Sequence, residues 1–326
     1  MIATNVKEGI LSTIGETPLV KLKNVFAEYP FHFYAKMEMF NPGGSIKDRT
    51  SYHMLSEAFK QGKIAANSTI IESTSGNMGI GLAQLCLYYG LRLILVVDPH
   101  INKESAQLLR IYKAELVFVD ELDDNGGYLK TRLATVQKLL KTIPNSYNPD
   151  QYHNKNNPLA HRQTFTEIIQ QLGAAPDYII IPTSTCGTIM GFINEIDKQG
   201  YATKVIAVDA QGSVLFNQKP KERLIPGMGA SQKSHFLDAA KLHAVQHISD
   251  SDAVVGCHKL LKLESMLAGG SSGAVITAIE KIAYRLKEDN TVVAIFPDRG
   301  ERYLNTIYNT EWIATKFPEL LNNEKI

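Results

Sequence analysis

Two rhythms of apolar residues alternate along this chain. Short, nearly unbroken apolar runs at 31–36, 68–71, 91–97, 114–119, 178–182, 204–209 and 291–296 read as strands. Between them the apolar residues take helical spacing. Tyr52, Met54, Leu55 and Phe59 show it after residue 47, and 80–89, 128–140, 161–172, 252–262, 273–287 and 309–315 show it again. A loop and helix fill 183–199, and Gly126 and Gly127 precede the helix at 128. A steady alternation of strand and helix predicts parallel sheets covered by helices on both faces. At 143–150, Pro144, Pro149 and several turn formers interrupt the pattern, which predicts the crossing between two lobes there.

The length supports that division, since 326 residues exceed the usual span of one hydrophobic core. With 44% hydrophobic and 21% charged residues the composition is that of an ordinary globular protein. Lys and Arg total 34 against 33 acids, so no global field favours nucleic acid or an acidic membrane. No apolar run reaches the about 18 residues of a membrane span, and the first residues lack a basic segment followed by an apolar one. A cytoplasmic location is the expectation. Cys86, Cys186 and Cys257 are odd in number and widely spaced, which suits neither a disulfide framework nor a zinc site, and no metal is expected.

Chemistry concentrates in turns that follow strands and open helices. In Asn41-Pro42-Gly43-Gly44-Ser45-Ile46-Lys47, glycines lead straight to an amine in the first turn of a helix. The positive end of the helix dipole disfavours a cation there, which lowers an amine's pKa and makes it nucleophilic. A solvated lysine after an ordinary turn is the alternative. In Glu72-Ser73-Thr74-Ser75-Gly76-Asn77-Met78-Gly79, hydroxyls, an amide and backbone N–H groups crowd a helix start and suit a carboxylate. One of these side chains could instead serve only as a cap. Ser184-Thr185-Cys186-Gly187-Thr188 has the small side chains and hydroxyl donors of a phosphate cradle. It lacks the spacing of a nucleotide P-loop, and no GxGxxG opens the first strand–helix unit. An amine with a non-nucleotide phosphate site points to pyridoxal phosphate.

Asn-Pro-Gly-Gly-Ser-x-Lys-Asp-Arg at 41–49, Thr-Ser-Gly-Asn at 74–77, the loop at 184–188, Gly227-Met228-Gly229-Ala230 and Gly300-Glu301-Arg302-Tyr303-Leu304 together resemble the cysteine synthase and cystathionine beta-synthase group of pyridoxal phosphate enzymes. The resemblance covers nearly the whole chain. It implies a two-lobed, fold type II, tryptophan synthase beta-like α/β fold, with parallel-rich sheets covered by helices. A smaller, mobile domain at 39–149 and a larger one from 1–38 plus 150–326 would carry pyridoxal 5'-phosphate in the cleft between them. By the same resemblance Lys47 forms the Schiff base and Asn77 bonds the ring hydroxyl. Ser184, Thr185, Cys186, Gly187 and Thr188 would hold the phosphate, and Thr74, Ser75 and Asn77 the substrate carboxylate, over which the 227–229 loop with Gly227 would close. A homodimer is usual for the group.

Two departures bear on the substrate. Asp298-Arg299 precedes Gly300 where cysteine synthases carry a serine that meets the ring nitrogen. Either Arg299 points elsewhere or the ring nitrogen is unprotonated and another hydroxyl, such as Ser271, approaches it. Met78 stands where those enzymes usually have threonine. Glu72–Asn77, Val97-Asp98-Pro99, Gly126-Gly127-Tyr128-Leu129 with Arg132, Gln151-Tyr152, Val208-Asp209-Ala210 and Pro297-Asp298-Arg299-Gly300 resemble a subgroup of transferases that joins O-phospho-L-serine to L-glutamate. Its product, N-(2-amino-2-carboxyethyl)-L-glutamate, is a precursor of diaminopropionate in siderophore synthesis. Arg132 and Tyr152 are the candidates for the extra anionic groups; Arg132 as an exposed helix arginine is the alternative. The competing functions are a cysteine synthase using sulfide and a cofactor-free scaffold that kept the fold.

Overall fold

The structure is a computed structural model that describes residues 6–123, 127–322 and 326. Gly126, named above, lies outside the described residues. The chain divides into two compact units, one of residues 6–17 with Phe40–Asp150, the other of Pro18–Met39 with 151–322 and 326. The crossing expected at 143–150 thus falls at its end. Residues 6–17, expected with the larger domain, pack with the smaller unit instead. Leu11 joins the cluster of Met54, Leu55, Leu82 and Leu85, and the Gly15 N–H donates to Asn41 Oδ1 at 2.9 Å.

The first unit holds β3 (Thr69–Ser73), β4 (Arg92–Val97), β5 (Glu115–Phe118) and β6 (Ser146–Tyr147), in the order β5-β4-β3-β6 and all parallel. Around this sheet lie α1 (Lys47–Lys60), α2 (Asn77–Tyr89), α3 (Lys103–Ile111) and α4 (Leu129–Thr142). The Leu93–Val97 part of β4 is buried on both faces, which is why it reads as a continuous apolar run rather than an alternating one, and β3 is buried throughout although Thr69, Glu72 and Ser73 are polar.

In the second unit β1 (Leu19–Lys21), β2 (His32–Met37), β7 (Tyr178–Pro182), β8 (Lys204–Ala210), β9 (Ala244–Ile248) and β10 (Thr291–Phe296) form one sheet, ordered β1-β2-β10-β7-β8-β9. Only β1 runs antiparallel, against β2. Its helices are α5 (Asn156–Leu172), α6 (Gly187–Gln199), α7 (Asp250–Glu264), α8 (Gly270–Ile282), α9 (Thr310–Lys316) and α10 (Pro318–Asn322). α7 and α8 approach so closely that a Cβ on Gly256 would lie 2.0 Å from the Gly273 carbonyl oxygen, so glycine is required at the crossing. Under the sheet, Lys36 is fully buried and donates to Glu167 Oε2 at 2.8 Å and Gln171 Oε1 at 3.0 Å, which fastens β2 to α5. No helix is long and apolar enough to cross a membrane among the described residues.

Candidate active site

Parallel sheets gather their loops at the carboxyl ends of the strands. In the first unit the segment after β3 is Thr74-Ser75-Gly76, leading into α2, and that after β4 begins with Asp98. The cap position of α2 is Gly76, which has no side chain to satisfy the helix's first N–H groups. Thr74 Oγ1 accepts only from Gly76 N, at 3.4 Å, so the hydroxyls here do not serve as a helix cap. α3 differs, with Asn102 Oδ1 accepting from Ser105 N. The start of α2 therefore presents donors to an anion.

Lys47 is the first residue of α1 and is half-buried. Its turn is fixed on three sides. Asp48 Oδ2 accepts from Gly43 N at 2.6 Å, Ser45 Oγ accepts from Lys47 N at 3.2 Å, and Ser51 Oγ donates to the Lys47 carbonyl at 2.8 Å. A Cβ at Gly43 would collide with the Asp48 carboxylate, at 2.5 Å, so this turn is built for glycine. α2 presses on the same turn through Gly81. Lys47 and the Thr74–Asn77 loop are thus brought onto two helices in mutual contact.

Arg132 is not an exposed helix arginine. Its side chain is 14% exposed, Nη1 pairs with Asp98 Oδ2 at 3.2 Å, and the buried Nε has no hydrogen-bond partner among the described residues. Asp98 is held in turn by the His100 N–H at 3.0 Å.

The second unit brings together 184–188, Gly227 and Ser271. The loop after β7 turns sharply at Cys186, whose φ of 64° is left-handed, and enters α6 at Gly187 with no side-chain cap. A non-glycine residue there stores about 1 kcal/mol or more of strain, which marks the turn as shaped for a task. A Cβ at Gly187 would sit 2.0 Å from Asn157 Oδ1, so the backbone can lie this close only as glycine. The Gly229 N–H donates to the Thr183 carbonyl at 2.7 Å and ties the 227–229 loop to this cradle. Gly227 takes a φ of 94° and is exposed. On the other side, Gly270 at the start of α8 packs against Ile225, and Ser271 follows it in the first turn, also without a side-chain cap. α7 and α9, by contrast, are capped by Ser249 and Asn309. Tyr152 is half-buried.

Arg299 Nε donates to the Met39 carbonyl at 2.9 Å, which fastens this arginine to the 3-10 turn after β2. Asp298 accepts from Tyr303 Oη at 2.6 Å, and burial pushes the Tyr303 phenol well above its ordinary pKa. Asp209, at the end of β8, is fully buried, and its Oδ1 accepts from Ala210 N. Burial raises its carboxyl to about 6. Cys86 and Cys257 are core residues whose thiols burial pushes up to about 12.

Sequence reasoning missed Asn157, which donates to the Gln151 carbonyl at 2.7 Å and to Thr185 Oγ1 at 3.2 Å. Its signal was an asparagine just before Pro158 at a helix start. The cradle suits a phosphate monoester: an uncapped α6, a left-handed turn, and a Thr185 hydroxyl with no acceptor for its hydrogen among the described residues.

Among solved structures the chain is similar to an O-acetylserine-dependent cystathionine beta-synthase from Helicobacter pylori, with 34% identity, a TM-score of 0.86, and coverage of 93% of this chain and 99% of that one. An O-acetylserine sulfhydrylase isoform 3 from Entamoeba histolytica shows 31% identity and a TM-score of 0.87 over 95% of this chain and 94% of that one. An O-ureido-L-serine synthase shows 29% identity and a TM-score of 0.86 over 94% and 96%. A model of the family "pyridoxal-phosphate dependent enzyme" matches residues 10–298. With this match, and a two-unit fold type II architecture shared with those structures, the chain belongs to the pyridoxal-phosphate dependent enzyme family and uses pyridoxal 5'-phosphate as its cofactor.

Proposed function

We propose that this enzyme, a member of the β-replacement class represented by its structural neighbours, joins O-phospho-L-serine to L-glutamate. The products are N-(2-amino-2-carboxyethyl)-L-glutamate and phosphate, and the first serves diaminopropionate and siderophore synthesis. The observation that carries this reading is Arg132. A largely buried guanidinium on Asp98, whose Nε has no partner among the described residues, supports a second anionic group on the substrate, since Asp98 and the Thr74–Asn77 loop follow the adjacent parallel strands β4 and β3. Sulfide requires no such partner, and an O-acetyl ester, unlike a phosphate monoester, is uncharged while bound to the donor. The buried Met78 adds to this, since it removes a hydroxyl from the substrate loop.

When bound, pyridoxal phosphate withdraws electrons from the substrate's Cα and so makes its proton acidic. The chain's residues do the rest. Lys47 Nζ takes the Cα proton and returns it at the end of the cycle. Donors at the start of α2, with Thr74, Ser75 and Asn77, hold the substrate carboxylate. Asn77 would hold the cofactor ring, 184–188 its phosphate, and Ser271 would be the hydroxyl offered to its nitrogen, since Arg299 Nε is engaged by the Met39 carbonyl. Arg132 and Tyr152 take the phosphate of the donor or the carboxylates of the acceptor. The 227–229 loop covers the carboxylate and excludes water.

A cysteine synthase reaction is the second reading, favoured by the acetylserine-dependent neighbours. Assaying glutamate and sulfide as acceptors separates the two, and comparing kcat/KM for phosphoserine and acetylserine in wild type and Arg132→Lys tests the part of Arg132. Wild type should prefer phosphoserine, and the variant should lose about tenfold of that preference. A wild-type preference for acetylserine that R132K leaves unchanged would refute the proposal. The enzyme is expected to act in the cytoplasm as a homodimer, and size-exclusion chromatography coupled to light scattering would test the dimer.

A further inference from the structure

We infer that Asn157 is a positioning residue that turns the Thr185 hydroxyl into a donor for the cofactor phosphate. This rests on the assignment of 184–188 to that phosphate. Asn157 is fully buried at the start of α5, and its amide orientation is fixed by its surroundings. The Gln151 carbonyl, 2.7 Å away, can only accept, so Nδ2 must face it. The second N–H of the same nitrogen then reaches Thr185 Oγ1 at 3.2 Å. Flipping the amide would set oxygen against oxygen at Gln151.

Thr185 must therefore accept from Asn157, and its own hydrogen is free to point away. No acceptor for that hydrogen is present among the described residues, although Thr185 is only 6% exposed. A buried hydroxyl hydrogen without an acceptor is unfavourable, and a phosphate oxygen removes the penalty. Backbone contacts hold the threonine in place, with Ser234 Oγ donating to the Thr185 carbonyl at 2.7 Å. The remaining face of the amide, Oδ1, makes no hydrogen bond and rests against Gly187. One side chain thus sets both the polarity of Thr185 and the space beside the α6 N-terminus.

The test compares the affinity of the apoenzyme for pyridoxal phosphate with that for pyridoxal, which lacks the phosphate. Asn157→Ala and Thr185→Val should each weaken pyridoxal phosphate binding about tenfold and leave pyridoxal binding within about twofold. The double variant should be no worse than T185V, because Asn157 acts through Thr185. Equal losses for both ligands in N157A, or additive losses in the double variant, would overturn the inference. If T185V loses the preference for the phosphorylated ligand and N157A keeps it, the inference fails while the phosphate loop stands. If T185V keeps the wild-type preference, the assignment of Thr185 to the phosphate fails as well. A measurement on the unaltered holoenzyme guards against misfolding of N157A. The Asn157 side-chain amide resonances should move when pyridoxal phosphate is exchanged for pyridoxal, and unmoved resonances would contradict the inference.

Discussion

Gly81→Ala places one methyl group where α2 presses on the turn that carries Lys47. The new Cβ would lie 2.5 Å from Ser51 Oγ and 3.2 Å from the Lys47 carbonyl oxygen. Ser51 can rotate away only by giving up its bonds to the carbonyls of Lys47, at 2.8 Å, and Asp48, at 3.2 Å. Overpacking of this kind costs about 1–3 kcal/mol, and the lost hydrogen bonding about 1 more. Alanine's better helix propensity returns about 1 kcal/mol, so the net loss of stability is about 1–3 kcal/mol. The effect on turnover should be larger in proportion. Displacing a catalytic group by 1 Å can lower a rate by about a hundredfold, and here the carbonyl of Lys47 itself must move by a few tenths of an ångström. Urea unfolding and kcat of the loaded enzyme read the two effects separately, with a drop in kcat of about tenfold expected. Ser51→Ala in the same protein removes the closest contact and should recover most of the loss. A G81A enzyme as stable and as active as wild type would refute the close α1–α2 approach and its link to Lys47.

Two other substitutions test the electrostatics. Lys36→Met should destabilise the protein by about 3–5 kcal/mol in urea unfolding, since it removes the buried ammonium that neutralises Glu167; a loss below about 1 kcal/mol would contradict this. The Asp209 carboxyl ionises near 3.8 when unfolded and about 6 when folded. Folding therefore takes up a proton between those values, and the stability Asp209 contributes, full below the lower one, is lost as pH rises through the upper one. The difference amounts to about 3 kcal/mol above that window. Asp209→Asn should unfold at higher urea than wild type at neutral pH and lose the wild-type decline between about pH 4 and 6. An unchanged pH profile would show that Asp209 is ionised without penalty.

The strands Tyr178–Pro182 and Thr291–Phe296 are legible to the residue because they are buried runs with turn formers on both sides. β9 is not, because at the sheet's edge it is only half-buried and mixes Gln246 and His247 with apolar residues. α5 begins at Asn156, ahead of the expected 161, because a proline in the first helical turn is compatible with helix geometry. The place of β10 between β2 and β7, and the docking of Leu11 in the first unit, depend on contacts distant in sequence. No local pattern encodes them. In the site, Lys47, Thr74–Asn77 and 184–188 stand out as small and polar residues between an apolar strand and a helix. Asn157 does not, since its task is defined by the carbonyl of Gln151 and the hydroxyl of Thr185, which only the fold brings to it. Arg132 was visible as a residue, but whether it faced solvent or Asp98 was not.

The central claim is a new bond between the β-carbon of phosphoserine and the α-nitrogen of glutamate. Incubating the holoenzyme with phosphoserine labelled with 13C at Cβ and glutamate labelled with 15N, with unlabelled sulfide present in a parallel reaction, reads that bond directly by NMR. A one-bond 13C–15N coupling in the product, with phosphate released in equal amount, is the expected result. A product that carries sulfur at the labelled carbon, and no coupling when glutamate is the only acceptor, would contradict it.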